Sequence, residues 1–121
     1  MNTVRELLEE SERNRCAVYV SVVTLTEVVA SLSKIQGESA ARDELQVVLS
    51  MPMQIESPTR EQCAEAGWLR ARHRLSTADA IIAAQAMATG AELVHKDPDF
   101  ESVVGLRQRP LPYKTRRART R

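Results

Sequence analysis

The sequence predicts one α/β domain with a three-layer α/β/α arrangement and a mainly parallel sheet. Segments with strand character alternate with segments of helical periodicity, and parallel neighbours need crossover helices between them. Apolar residues make up 43% of the chain and aromatic residues only 3%, so aliphatic side chains would form the core. This composition argues against disorder, and 121 residues are enough for one compact domain and too few for two.

The first half of the sequence predicts the order helix, strand, helix, helix, strand. Apolar residues at helical spacing among glutamates indicate an amphipathic helix over residues 2–13. A β-branched and aromatic run over residues 16–22 indicates a buried strand. Helices are predicted over residues 24–32 and 38–49, and a short strand over residues 53–56 lies between two prolines.

The second half predicts two helices followed by short elements. Thr59 and Gln62 have capping-box spacing at the start of a helix that runs to about residue 73. Ser76 is the predicted N-cap of an alanine-rich helix that ends at Gly90. Trp68, with Leu69 and Leu75, is predicted to fill the core. Three short elements complete the order: a strand over residues 92–95, a helical turn over 100–103 and an edge strand over 106–109.

A net charge of +1 hides an asymmetry along the chain. Residues 1–106 are acidic on balance, whereas residues 107–121 contain seven basic residues and no acid. We therefore predict a domain over residues 1–109 and a basic, flexible tail over residues 110–121. The tail could bind nucleic-acid phosphates or could be a solvated end. Its predicted RNA-binding residues are Lys114, Arg116, Arg117, Arg119 and Arg121.

The longest apolar-rich stretch, over residues 78–88, contains polar side chains and is too short to cross a bilayer. No basic start followed by an apolar run appears, so the sequence predicts neither a signal peptide nor a membrane anchor. We expect a cytoplasmic protein that does not bind membranes.

Acidic residues stand where strands end and helices begin. Glu27 and Asp79 lie in the first turns of predicted helices, and Asp97 and Asp99 follow a predicted strand. In an open parallel sheet such positions gather along one edge. A cluster of carboxylates would favour bound Mg²⁺ or Mn²⁺, which suit phosphodiester hydrolysis. The same patterns are also typical of helix capping and of an ordinary turn, and the residues alone leave both readings open.

Three segments of the sequence resemble the PIN-domain ribonucleases of the VapC toxin type. They cover residues 17–28, 73–84 and 91–100, and their order and spacing both agree with that family. The resemblance implies that Glu27, Asp79 and Asp97 are catalytic, metal-binding acids and that Asp99 assists them. It also makes Ser21, Thr24 and Ser76 candidates for supporting the acids or capping helices.

The resemblance has two departures. Family members begin with a central strand that ends in an aspartate, whereas this sequence enters directly at the following helix. No aspartate precedes Glu27, so the N-terminal central strand and the first catalytic acid of the family are missing from the predicted fold. His95 also stands where the family more often has threonine, which puts a hydroxyl contact near the scissile phosphate in doubt.

The resemblance implies a Mg²⁺-dependent (or Mn²⁺-dependent) endoribonuclease that acts on RNA, forms a homodimer and is inhibited by a small antitoxin protein. A second hypothesis is a catalytically inactive PIN-like binding or regulatory module, because the first aspartate is absent. A third hypothesis is that the basic tail alone carries the function, by tethering the protein to nucleic acid.

Overall fold

A computed structural model describes residues 4–111 of the chain, except for the side chains of Val4, Arg5 and Leu7. The predicted basic tail residues from Lys114 onward lie outside this range. The chain divides into two compact units, an N-terminal unit that ends at Pro58 and a C-terminal unit that begins at Thr59.

The N-terminal unit contains three helices and one pair of parallel strands. Its elements are α1 (Val4–Glu12), β1 (Tyr19–Ser21), α2 (Val22–Gln36), α3 (Glu38–Leu49) and β2 (Gln54–Glu56). Strand β1 pairs with β2 so that Tyr19 lies opposite Gln54 and Ser21 opposite Glu56. Among the described residues of this unit, Ala41 is the one buried residue.

Strand β1 begins three residues later than predicted, and it ends one residue earlier because Ser21 caps α2. The Ser21 hydroxyl accepts a hydrogen bond from the backbone N–H of Val23 at 3.2 Å, so the helix begins at Val22 instead of Thr24. A side chain that accepts a hydrogen bond from one of the first free N–H groups of a helix marks the start of that helix. Gly37 has φ 86° between α2 and α3, a conformation that glycine adopts without strain.

The C-terminal unit contains two longer helices, a 3₁₀ helix and a second pair of parallel strands. Its elements are α4 (Arg60–Arg72), α5 (Thr77–Thr89), β3 (Leu93–His95), the 3₁₀ helix Pro98–Ser102 and β4 (Gln108–Pro110). Strand β3 pairs with β4 so that Leu93 lies opposite Gln108 and His95 opposite Pro110.

The predicted caps of α4 and α5 are confirmed. The Thr59 hydroxyl accepts from the N–H of Gln62, and the Gln62 side chain accepts from the N–H of Thr59, both at 3.0 Å. The Ser76 hydroxyl accepts from the N–H of Asp79 at 3.1 Å. Helix α5 ends at Gly90, which is left-handed with φ 70°. Residues next to the helix ends therefore determine three of the four ends of these helices, namely the starts of α4 and α5 and the end of α5.

The core of the C-terminal unit is built on the alanines of α5. Ala80 and Ala83 are fully buried, and their small side chains let α4 and α5 approach closely. The other buried members of this cluster are Ala66, Leu69, Leu75, Ala84, Ala86, Phe100, Val103 and Leu106.

The prediction that Trp68 fills this core is wrong. Its side chain is 63% exposed, whereas Leu69 is 4% exposed. Consecutive residues of an α-helix point about 100° apart, so α4 cannot bury both of them against α5. Leucine takes the core position and tryptophan the surface. No helix within residues 4–111 combines the length and the apolarity that a membrane crossing requires.

Candidate functional site

Asp79 lies in the first turn of α5 and is partly buried. Burial raises the pKa of its carboxyl group above the ordinary value, while a side-chain hydrogen bond with Ser76 lowers it. The negative charges of Asp97 and Asp99 raise it further, and His95 has a weak lowering effect. The net upward shift means that burial, together with the charges of Asp97 and Asp99, disfavours the negative charge of Asp79. The structure thus brings Asp79, Asp97 and Asp99 close enough for their charges to interact.

Asp97 and Asp99 occupy the turn that follows β3. Asp97 is the N-cap of the 3₁₀ helix, and its Oδ1 accepts a hydrogen bond from the backbone N–H of Asp99 at 2.9 Å. Pro98 stands in the first turn of this helix, where its missing N–H costs nothing. Both carboxylates are partly buried. The turn reading of this segment is therefore confirmed, and capping leaves the second oxygen of Asp97 for another role.

His95 joins this turn to β4 through a partly buried hydrogen-bond network. Its ring is 8% exposed and lies 4.8 Å from the ring of Phe100, centroid to centroid. Its Nδ1 accepts from the N–H of Asp97 at 3.2 Å, and its Nε2 lies 2.9 Å from Oε1 of Gln108. The Gln108 Nε2 donates to the Phe100 carbonyl oxygen at 2.8 Å. Since Nδ1 accepts and Oε1 can only accept, the ring carries its proton on Nε2.

Glu27 belongs to the N-terminal unit, and its position there differs from the prediction. Because α2 begins at Val22, Glu27 lies in the second turn, and no acidic residue stands in the first. Its side chain is exposed. Ser21, not Thr24, is the N-cap, so the capping-box spacing of Thr24 and Glu27 does not cap this helix. Ser21 and Ser76 both have capping roles.

The chemistry of the acidic residues fits a hard divalent cation. Carboxylate oxygens are the ligands that Mg²⁺ and Mn²⁺ prefer. A cation would offset the repulsion from Asp97 and Asp99, which adds to the effect of burial on the pKa of Asp79. Within residues 4–111, however, no three histidine, cysteine, aspartate or glutamate side chains are already grouped as ligands. The acidic residues therefore suit a divalent cation in their charge and in their oxygen donors.

Sequence reasoning missed Gln108. It was included only in a predicted edge strand, yet its side chain bonds both His95 and the Phe100 carbonyl. The signal available was a polar residue in an otherwise unremarkable strand, and nothing in the spacing links it to His95, 13 residues away.

Similar structures share this fold. VapBC2 from Rickettsia felis, solved bound to a DNA fragment from their promoter, is 21% identical with a TM-score of 0.72, over 88% of this chain and 82% of that chain. DNA-bound VapBC from Salmonella typhimurium is 19% identical with a TM-score of 0.71, over 86% and 83%. A toxin–antitoxin complex from Klebsiella pneumoniae is 26% identical with a TM-score of 0.56, over 73% and 70%. No curated protein matches the chain.

These similarities, together with a match to a protein-family model, confirm the predicted fold class, a three-layer α/β/α architecture with parallel strands. The family model described as PIN domain matches residues 2–106, which is most of the sequence. The chain belongs to the PIN-domain family.

Proposed function

We propose that the chain is a Mg²⁺-dependent endoribonuclease of the VapC toxin type, which hydrolyses RNA phosphodiester bonds in the cytoplasm. The observation that carries this proposal is the PIN-domain match over residues 2–106. Within that match, burial raises the pKa of Asp79, and the nearby charges of Asp97 and Asp99 raise it further. Mutually repelling carboxylates in a PIN-domain chain favour a divalent cation between them.

Asp79, Asp97 and Asp99 would hold the cation, and the PIN-like segment around Glu27 supports that residue as a further ligand. When bound, Mg²⁺ or Mn²⁺ makes a water molecule more acidic and stabilises negative charge on the phosphate oxygens. Ser76 holds the first turn of α5, which presents Asp79, and His95 holds the backbone of Asp97. Ser21 caps the helix that carries Glu27, and Thr24 lies within that helix.

The proposed partners are RNA, a small antitoxin and a second copy of the chain. The similar structures are VapBC and toxin–antitoxin complexes, which supports an antitoxin partner. Five basic residues of the tail would neutralise RNA phosphates. These are Lys114, Arg116, Arg117, Arg119 and Arg121.

RNA cleavage by the full chain in Mg²⁺ tests the proposal. We expect Asp79→Asn, or EDTA, to reduce cleavage at least about 100-fold. Either change would remove or weaken the bound cation, and losing a group that stabilises transition-state charge typically costs that much. Asp43→Asn is the matched control, since Asp43 is exposed on α3, and it should leave cleavage unchanged. Cleavage that survives Asp79→Asn and EDTA would rule out the proposal.

A catalytically inactive PIN-like binding or regulatory module is the alternative function. It is favoured by the absence, within the described residues, of three ligand side chains already grouped together. Titration of the chain with Mn²⁺ separates the two functions, because the alternative predicts no tight binding.

A further inference from the structure

Gln108 and His95 lie on neighbouring strands and on the same face of their sheet. Strand β3 pairs in parallel with β4, and Gln108 lies opposite Leu93. Leu93 and His95 are two residues apart, and side chains at this spacing on a strand point to the same face. The pairing of the strands therefore brings the Gln108 amide next to the imidazole, and Oε1 of the amide lies 2.9 Å from Nε2 of the ring.

These two side chains connect two backbone groups through hydrogen bonds. At one end, the N–H of Asp97 donates to Nδ1 of His95 at 3.2 Å. At the other end, the carbonyl oxygen of Phe100 accepts from Nε2 of Gln108 at 2.8 Å. We call these hydrogen bonds, together with the one between the two side chains, the Gln108–His95 bridge. A backbone N–H can only donate and a carbonyl oxygen can only accept, so the two ends fix the roles of the atoms between them.

The order of donors and acceptors in the bridge suits one tautomer of His95. The Phe100 carbonyl requires the NH₂ group of Gln108, so Oε1 of the amide faces the imidazole. Because Oε1 accepts, Nε2 of His95 carries the proton, and Nδ1 keeps the lone pair that the Asp97 N–H needs. In the other tautomer the ring would present an N–H to the N–H of Asp97, and two donors cannot form a hydrogen bond.

Packing and backbone pairing hold the imidazole ring in this orientation. His95 is 8% exposed and Phe100 is 4% exposed, and their rings lie 4.8 Å apart, centroid to centroid. The carbonyl oxygen of His95 accepts from the N–H of Leu111 at 2.7 Å. A ring packed in this way has little room to reorient when it loses a partner. The orientation of the Gln108 amide therefore matters for the contact at the opposite side of the ring.

The bridge ends at a residue whose side chain is also held by the backbone. Oδ1 of Asp97 accepts from the N–H of Asp99 at 2.9 Å, while His95 holds the Asp97 N–H. Oδ2 of Asp97 then remains for a cation. The charge of Asp97 acts on Asp79, so a shift of Asp97 would change the spacing of the acids. Metal ligands commonly owe their orientation to hydrogen bonds of this outer kind.

We propose that Gln108 is a positioning residue of the candidate cation site and acts through His95, because its amide keeps Nδ1 of the ring as the acceptor that holds Asp97. Its own side-chain hydrogen bonds go to His95 and Phe100. The inference rests on the proposed function, since it concerns the divalent cation that Asp79, Asp97 and Asp99 would hold.

Isothermal titration of full-chain variants with Mn²⁺ tests the proposal. Gln108→Met has a similar length but lacks both the donor and the acceptor of the amide. We expect it to weaken Mn²⁺ binding at least about tenfold, as loss of an outer hydrogen bond at a metal site typically does. Thr59→Ala is the matched control, because it removes the cap of α4 and lowers stability without changing the bridge. Equal losses of affinity in the two variants would reveal a general effect of stability and overturn the proposal.

Variants of His95 show whether Gln108 acts through the ring. His95→Leu should weaken Mn²⁺ binding at least as much as Gln108→Met does. Adding Gln108→Met to His95→Leu should then have no further effect, because the contact through which it acts is already gone. His95→Asn should retain more affinity than His95→Leu, since Oδ1 of asparagine can accept from the Asp97 N–H without help from Gln108. A further loss in the double variant, or equal losses in the two His95 variants, would overturn the proposal.

Amide hydrogen exchange, followed by NMR in EDTA, measures the turn without metal or RNA. The N–H of Asp97 should exchange at least about tenfold faster in Gln108→Met, because loss of its support lets the turn open locally. The N–H of Ala80, which donates to the Ser76 carbonyl oxygen at 2.9 Å, should keep its rate. An unchanged rate at Asp97 would overturn the proposal.

The Mn²⁺ titrations also separate failure of this inference from failure of the proposed function. Absence of Mn²⁺ binding by the wild-type chain would overturn the cation site and the inference together. Equal Mn²⁺ binding by the wild-type chain and by Gln108→Met would overturn the inference alone.

Discussion

The imidazole ring of His95 holds the backbone of Asp97. Its Nδ1 accepts the Asp97 N–H at 3.2 Å, while its Nε2 faces Oε1 of Gln108 at 2.9 Å. The ring thereby connects the end of β3, the acidic turn and β4. This contact holds the backbone of Asp97 in place. His95 itself is buried, so its role here is to position Asp97.

Gln108→Leu removes the support of this network. The Nε2–H of His95 would lose a partly buried partner, which typically costs about 1–3 kcal/mol, whereas the carbonyl oxygen of Phe100 would keep its hydrogen bond from the N–H of Val103. We expect urea denaturation to show a loss of that size in the free energy of unfolding. Gln54→Leu is the control, because Gln54 is exposed on β2. Equal stability of the two variants would contradict the structural role of Gln108.

Asp79→Asn should stabilise the metal-free chain at neutral pH. The folded pKa of Asp79 lies above its ordinary value of 3.8, so the folded state binds this proton more tightly than the unfolded state. Its contribution to stability therefore falls as pH rises through the interval between the two values. Asparagine has no such proton, so its advantage should be present at pH 7 and shrink as pH approaches 3.8.

Melting temperatures of the two proteins in EDTA, followed across this pH range, check the sign. Asp43→Asn again serves as the exposed control. A variant that is less stable than the original chain by the same amount at every pH would contradict the raised pKa of Asp79.

Ser76→Ala should lower the stability of the protein and also raise the pKa of Asp79. Loss of the N-cap of α5 is expected to reduce the free energy of unfolding by about 1 kcal/mol. It also removes the Ser76 hydrogen bond that lowers the pKa of Asp79, so that pKa should rise further. An NMR titration of the Asp79 carboxyl group measures the second effect. Ser39→Ala, at an exposed position in α3, should change neither quantity, and an unchanged Asp79 titration in Ser76→Ala would refute the contact.

Deletion of residues 114–121 tests the basic tail, which lies outside the described residues. If the tail contacts RNA phosphates, the deletion should weaken RNA binding and flatten its salt dependence. The slope of log K against log salt should fall by about 0.7 for each lost contact with single-stranded RNA. Fluorescence anisotropy at several salt concentrations measures both. An unchanged slope would exclude a phosphate-binding role for the tail.

The sequence predicted those features that local chemistry determines. The capping box of Thr59 and Gln62, the Ser76 cap and the Gly90 terminus are all confirmed, because each depends on residues within one or two turns. Asp97 and Asp99 also lie close enough to Asp79 for their charges to add to the effect of burial on its pKa, whereas the convergence of Glu27 with these acids stays a prediction.

Features that depend on competition between neighbours were not predictable in the same way. Ser21 and Thr24 can both cap a helix, and only the hydrogen bond to Val23 shows which one does. Trp68 and Leu69 are both apolar, and packing against α5 decides which is buried. The bond between His95 and Gln108 joins separate strands, which no local pattern reveals.

Isothermal titration of the full chain with Mn²⁺ tests the central claim most directly, namely that Asp79, Asp97 and Asp99 form a divalent-cation site. We predict saturable binding that weakens at least about tenfold in Asp79→Asn and in Asp97→Asn, in line with the loss of a charged ligand. Asp43→Asn should bind as the original chain does. Absence of Mn²⁺ binding, or binding that all three variants retain equally, would contradict the account and favour the inactive module.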